Sequence, residues 1–168
     1  MRIFLIGFMG CGKTTLGKKL AVRMAYDLID LDHKVEENTG STIADYFSAH
    51  GEEAFRKLES DTLKNWDYPE NCVVATGGGT PCFFDNMDWM NANGLTIYID
   101  MPAIALAKRL EKGAAKRPLL KGLTEAALVN FIEEKLTDRR LFYQKSKLII
   151  SGINLTPDVL RAAVLAYR

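Results

Sequence analysis

The sequence predicts an α/β fold, with three layers built on a five-stranded parallel sheet. Three observations predict it. Short apolar runs of strand type alternate with longer segments of helical spacing along all 168 residues, and such alternation calls for crossover helices on both faces of a parallel sheet. The first apolar run, RIFLI, enters a glycine-rich turn, GFMGCGKTT at 7–15, that opens a helix. No repeat, low-complexity tract or linker divides the chain, so residues 1–168 read as one domain.

Each element has its own signal. RIFLIG is the first strand, and KTTLGKKLAVRMA places Leu16, Leu20, Val22 and Met24 at roughly helical spacing. DLIDLD is the second strand. TIADYFSAHG suits a short helix ending at Gly51, and EEAFRKLESDTLKNW a longer amphipathic one with Phe55, Leu58 and Leu63 inward. NCVVA is a third strand that runs into TGGG. A helix fits Asp85 to Asn93, with Gly94 as its stop. LTIYID is the fourth strand and AIALAKRLEKG the helix after it. AAKRPLLKG is basic, lies between Gly113 and Gly122 and carries a proline, so it reads as a loop. TEAALVNFIEEKLTDRRLFY is a long helix and KLIIS the fifth strand. TPDVLRAAVLAY closes the chain as a helix with Pro157 near its start.

Composition narrows the function classes. With 22 basic and 21 acidic residues the formal net charge is +1, so neither a nucleic-acid coat nor a polybasic membrane patch is expected, and substrate charge must be met locally. No apolar run has the length of a bilayer-spanning helix, and the amino end lacks the pattern of a secretory signal. Cys11, Cys72 and Cys82 are odd in number and show no zinc-type spacing. A reduced, cytoplasmic location is the expectation.

Gly7-x-x-x-x-Gly12-Lys13-Thr14 has the pattern of a phosphate-binding loop, with a strand before it and a helix after it. The glycines let successive backbone N–H groups point into one concavity, and the helix start adds partial positive charge. Gly10, Cys11, Gly12, Lys13, Thr14 and Thr15 are the candidate ligands of a nucleoside triphosphate. Lys13 reaches the β- and γ-phosphates as a point charge, and the Thr14 hydroxyl is placed to ligate Mg²⁺. No guanine-reading Asn-Lys-x-Asp occurs, which argues against a GTPase, and the chain is short for a motor ATPase. Asp30 and Asp32 stand at the carboxyl end of the second strand, where ligands bind in open α/β sheets. Alternation puts both on one side if the strand continues that far. Two carboxylates beside a phosphate loop suggest one near a metal and one near an acceptor hydroxyl.

GFMGCGKTT, LIDLDHKVEENTGSTIADYF, GEEAFRKLE, TGGGT and KRPLL, in this order and spacing, resemble shikimate kinase, and RRLFY before the last strand extends the match. The resemblance covers nearly the whole chain. It implies a P-loop kinase fold like that of nucleoside-monophosphate kinases, with strand order 2-3-1-4-5. It implies ATP- and Mg²⁺-dependent phosphorylation of the shikimate 3-hydroxyl, on the path to chorismate and the aromatic amino acids. The implied partners are ATP and shikimate, with no nucleic acid or membrane, and the expected state is a monomer. An acceptor-binding segment is implied over about 32–60 and a mobile lid over about 112–123.

The implied roles follow the matching positions. Asp32 meets the acceptor hydroxyls as general base, and Asp30 serves the Mg²⁺ through water. Arg56 and Arg139 bind the shikimate carboxylate, Glu59 helps hold Arg56 and the acceptor, and Gly77, Gly78 and Gly79 meet the shikimate ring through their backbone. Arg117 is the lid arginine that closes over the transferred phosphate, and it joins Lys13 and Asp32 as a catalytic candidate. The residues agree with these roles: a planar guanidinium binds a carboxylate with two parallel bonds, which lysine cannot do. Arg56 and Glu59, three apart on one helix, are close enough to orient each other. The family pattern has proline two residues after the second carboxylate arginine, where this chain has Leu141. Tyr143 sets the register and selects Arg139 over Arg140. On the adenine side only a region, Asn154 to Pro157, is indicated, and Arg109 reads equally as a neighbour of adenine or as an exposed helix arginine.

Overall fold

The computed structural model describes residues 1–112 and 122–167. Strands β1 (Arg2–Ile6), β2 (Asp27–Asp30), β3 (Cys72–Ala75), β4 (Leu95–Asp100) and β5 (Leu148–Ser151) form one sheet in the order β2-β3-β1-β4-β5. Every pairing is parallel. The five strands and their order are those expected from the sequence.

The helices are α1 (Lys13–Met24), α2 (Leu31–Thr39), α3 (Ile43–Asn65), α4 (Asn86–Asn93), α5 (Ala103–Glu111), α6 (Glu125–Tyr143) and α7 (Pro157–Tyr167). Alternation along the central strands feeds two cores. Ile3, Leu5, Val73 and Ile97 face Leu20, Leu160 and Val164 of α1 and α7. Phe4, Ile6, Val74 and Tyr98 face Leu63, Met90, Leu106 and Leu136 of α3 to α6. Since all strands run the same way, their carboxyl ends share one edge of the sheet, and the loops there build the site.

Four local expectations change. Val22 is exposed, so α1 turns Gly17, Leu20 and Ala21 inward instead. The second strand stops at Asp30, and α2 begins at Leu31, so Asp32 lies in the first turn of a helix and not on a strand. The two helices expected on either side of Gly51 are borne out: they run on as α3 with a break at that residue (φ 83°). Its inner face carries Phe55 and Leu63 but also Glu59, Ser60 and Thr62, while Leu58 is only half-buried. Gly94 ends α4 in an extended conformation. Its reason for being glycine is the Arg2 carbonyl oxygen, 2.5 Å from where a Cβ would stand. Most of the expected lid, residues 113–121 with Arg117, lies outside the described residues.

Candidate active site

The loop after β1 curls because Gly7, Gly10 and Gly12 take φ values of 151°, 84° and 99°, which side chains with a Cβ rarely adopt. Lys13, first residue of α1, is 8% exposed, and its ammonium donates to the carbonyls of Gly7 (2.7 Å) and Phe8 (3.0 Å). The lysine thus ties the loop together from inside while standing in the wall of the cleft. That cleft, of about 350 Å³, is lined by Met9, Gly10, Gly12, Lys13, Thr14, Thr15, Asp32, Thr76 and Gly78. Cys11 is not among the lining residues. It is buried, and its sulfur packs 2.8 Å from the position of a Cβ on Gly7. On the outer side Arg109 reaches from α5 and donates to the Cys11 carbonyl at 3.2 Å.

Asp30 and Asp32 receive different settings from one chain reversal. Asp30 is the N-cap of α2 and accepts from the His33 N–H, while its other oxygen accepts from the Thr14 hydroxyl at 3.0 Å. A carboxylate at an N-cap satisfies a free helix N–H and meets the positive end of the helix. Asp32, two residues on, is exposed to the cleft yet is ringed by protein. That surrounding protein mass is the main cause that pushes its carboxyl up to about 6, and the Glu59 and Asp30 carboxylates add to it against Lys13. Two carboxylates two residues apart are therefore unlike in chemistry. Asp30 is held by the Thr14 hydroxyl and the His33 N–H, whereas Asp32 stands in the cleft wall with its carboxyl raised.

A second chamber, of about 220 Å³, adjoins the first and shares Met9, Asp32 and Gly78 with it. Arg56, Glu59, Gly77, Gly79 and Arg139 complete its polar wall, and Ile43 and Phe55 add apolar surface. Arg56 Nη1 donates to Glu59 Oε1 at 2.9 Å, and its guanidinium carbon lies 4.3 Å over the Phe83 ring. Arg139 lies over the Phe8 ring at 5.3 Å. Arg140, about 100° further round the helix, points elsewhere: its Nη1 is 3.8 Å from Glu133. Tyr143 fixes this rotation, since its buried hydroxyl donates to the Gly78 carbonyl. Cys82 feels both Arg139 and Arg56, but burial dominates and pushes its thiol up to about 11, so it stays a neutral thiol.

The three glycines after β3 answer to the site's own side chains, a narrower space than approach to a ligand alone would require. A Cβ on Gly77 would stand 2.8 Å from Glu59 Oε2 and 3.0 Å from Asp32 Oδ1. One on Gly79 would lie 2.5 Å from Arg56 Nη2. None of the three takes a left-handed φ, so it is space and not backbone freedom that disfavours a side chain at Gly77 and Gly79, while at Gly78 the nearest atom, the Met9 nitrogen, would be a tight 3.3 Å from a Cβ. Sequence reasoning missed Thr80, Phe83, Met9 and Thr76. Thr80 follows directly on the glycines in TGGGT, and that position is its only signal in the sequence.

The shikimate kinase family model matches residues 9–166. A shikimate kinase of Phocaeicola vulgatus is 47% identical over 154 residues, which are 92% of this chain and 88% of the relative. Among solved structures, the shikimate kinase of Bacteroides thetaiotaomicron superposes with a TM-score of 0.91 at 38% identity, covering 100% of this chain and 99% of that one. A shikimate kinase of Acinetobacter baumannii, in complex with shikimate, does so with a TM-score of 0.84 at 29% identity, over 99% of this chain and 91% of that one. Likeness of this extent, in sequence and in fold alike, means that the chain belongs to the shikimate kinase family.

Proposed function

We propose that the protein transfers the γ-phosphoryl group of ATP to the 3-hydroxyl of shikimate, giving shikimate 3-phosphate and ADP on the route to chorismate, in the cytoplasm and as a monomer. The observation that carries this reading is the pair of adjoining chambers that share Asp32, one walled by the phosphate loop and the other by two arginines. A phosphate-rich donor and a carboxylate-bearing acceptor are thereby recognised on opposite sides of one base.

Arg56 and Arg139 hold the acceptor carboxylate, with Glu59 steadying Arg56, and the backbone of Gly77 to Gly79 forms the floor. Asp32 accepts the proton of the attacking hydroxyl. Lys13 and the N–H groups of Gly10 to Thr15 hold the phosphates, where positioning and charge neutralisation supply most of the catalysis. Thr14 and Asp30 fit a Mg²⁺ ion: a hydroxyl and a carboxylate oxygen 3.0 Å apart beside the phosphate loop are a donor set that hard cation takes, with water and phosphate oxygens completing it. When bound, the ion neutralises charge on the β- and γ-phosphates. The lid over about 112–123 and Arg117 enter the proposal from the family pattern alone.

Coupled ADP release with and without shikimate, followed by mass analysis of the product, tests the reading. ADP release that ignores shikimate, or a product lacking one added phosphoryl group, would remove it. Arg56→Lys and Arg139→Lys should each raise KM for shikimate by roughly 10- to 100-fold, since a forked charged contact becomes a single one. KM for ATP should stay within about twofold. Unchanged shikimate KM in Arg139→Lys, with weakening in Arg140→Lys, would transfer the role to the neighbour.

Gly79→Ala should act on the same step without touching any charge. The added methyl would displace the Arg56 guanidinium, which Glu59 and Phe83 hold in place. Shikimate KM is expected to rise at least about tenfold with little change in KM for ATP, a loss of ~1.4 kcal/mol in acceptor binding. Steady-state kinetics with each substrate varied in turn provide the check.

A further inference from the structure

A buried polar chain runs from α3 through the short 3₁₀ turn at Thr80–Cys82 into α4. The Thr80 hydroxyl donates to Glu59 Oε2 at 2.7 Å, and the other Glu59 oxygen takes the Arg56 bond. Asn86 Nδ2 donates to the Thr80 carbonyl at 2.9 Å, and Asn86 Oδ1 accepts from the Ser60 hydroxyl at 2.6 Å. Glu59, Ser60, Thr80 and Asn86 are all buried, Thr80 and Asn86 completely. Arg56 itself has few other restraints. Its Nε has no hydrogen-bond partner among the described residues and lies 3.6 Å from Glu52. Its remaining support comes from two ring faces, Phe83 at 4.3 Å and, further off, Phe55 at 5.1 Å.

A carboxylate that is 1% exposed cannot leave one oxygen bare, since a buried acceptor without a donor carries its full desolvation cost. The Thr80 hydroxyl fills that need and in doing so sets the rotation of the Glu59 carboxylate. That rotation in turn sets where the single strong bond to Arg56 points. We propose that Thr80, backed by Asn86, is a positioning residue. It fixes Glu59 and, through it, the angle at which the Arg56 fork meets the acceptor carboxylate over the Phe83 platform. The proposal rests on the reading of Arg56 as carboxylate clamp, and Thr80 acts only through that clamp.

The test uses Thr80→Val, which keeps the shape and removes the donor, and Thr80→Ser, which keeps the donor. Each is made alone and with Arg56→Lys. Thr80→Val should raise KM for shikimate about five- to tenfold, with kcat and KM for ATP within about twofold. Thr80→Ser should behave as the parent. In the Arg56→Lys background Thr80→Val should add less than about twofold, because two residues acting through one contact are not additive. Phe83→Leu, at a half-buried position, should raise shikimate KM in the same selective way and gives a readout that does not depend on the folding of Thr80→Val. The inference is overturned if Thr80→Val leaves shikimate KM alone, raises both KM values together, matches Thr80→Ser, or adds fully to Arg56→Lys. A silent Thr80→Val beside an impaired Arg56→Lys removes this inference and leaves the clamp standing. A silent Arg56→Lys removes both.

Discussion

Lys13→Ala is expected to lower turnover by at least about 100-fold, the scale of a lost donor to transition-state charge. The structure adds a second consequence. The lysine ammonium donates to the Gly7 and Phe8 carbonyls from a position only 8% exposed. Its removal takes this donor from the Gly7 carbonyl and leaves the Phe8 carbonyl with the Cys11 N–H at 3.2 Å, beside a loop of positive-φ glycines. A loss of roughly 1–3 kcal/mol in stability should accompany the loss of turnover, seen as a melting temperature lower by several degrees. Circular dichroism separates the two effects, since the variant should retain its α/β signature at assay temperature. A folded Lys13→Ala with near-parental turnover would take this residue out of the phosphate site.

Asp32→Asn should keep ATP binding and lose turnover by ~10²–10⁴-fold, the usual effect of removing a general base. Its pH behaviour provides a sharper check. With the Asp32 carboxyl pushed up to about 6, kcat/KM for shikimate in the parent should rise with pH through an apparent pKa near 6 and then level. The residual activity of Asp32→Asn should lack that limb. The stability effect has the opposite sign to the usual carboxylate. The folded chain holds this proton between the ordinary value of 3.8 and about 6, where the unfolded chain has already released it. The group's contribution to stability is therefore present below 3.8, falls through that window and is lost above it. Asp32→Asn should melt higher than the parent at pH 8 and converge with it near pH 4. Because the side chain opens onto cleft water, screening keeps the gain to about 1 kcal/mol. A variant that is inactive and also less stable at pH 8 would show that Asp32 holds the fold and not a strained charge. Activity retained in Asp32→Asn and lost in Asp30→Asn would exchange the two roles.

The phosphate loop is legible in the amino-acid sequence because its chemistry is local. Three glycines, a lysine and a threonine within a few residues determine the backbone curl and the charge together. The second strand is less legible. LIDLD reads as continuous alternation, but the Asp30 side chain caps a helix, and the strand ends there. That helix, LDHKVEENT, buries only Leu31 and Val35, too few apolar positions to announce its period. The choice of Arg139 over Arg140 rests, in the sequence, on the spacing to Tyr143. Its physical basis is the Tyr143 bond to Gly78, which sets the rotation of α6.

What the sequence by itself determined are the features carried by short stretches: a strand entering a phosphate loop, an α/β alternation, a near-neutral surface, and a string of motifs dense enough to mark the family. What only the tertiary structure decided are the relations between stretches far apart in the chain. Thr80 meets Glu59 across 21 residues and Tyr143 meets Gly78 across 65. Gly79 is a glycine because Arg56 passes beside it, and the Asp32 carboxyl rises because the folded cleft surrounds it with protein and, second to that, brings the Glu59 and Asp30 carboxylates close. Periodicity and propensity act over a few residues, whereas these bonds and charges depend on which surfaces the folded chain brings within 3 Å of each other.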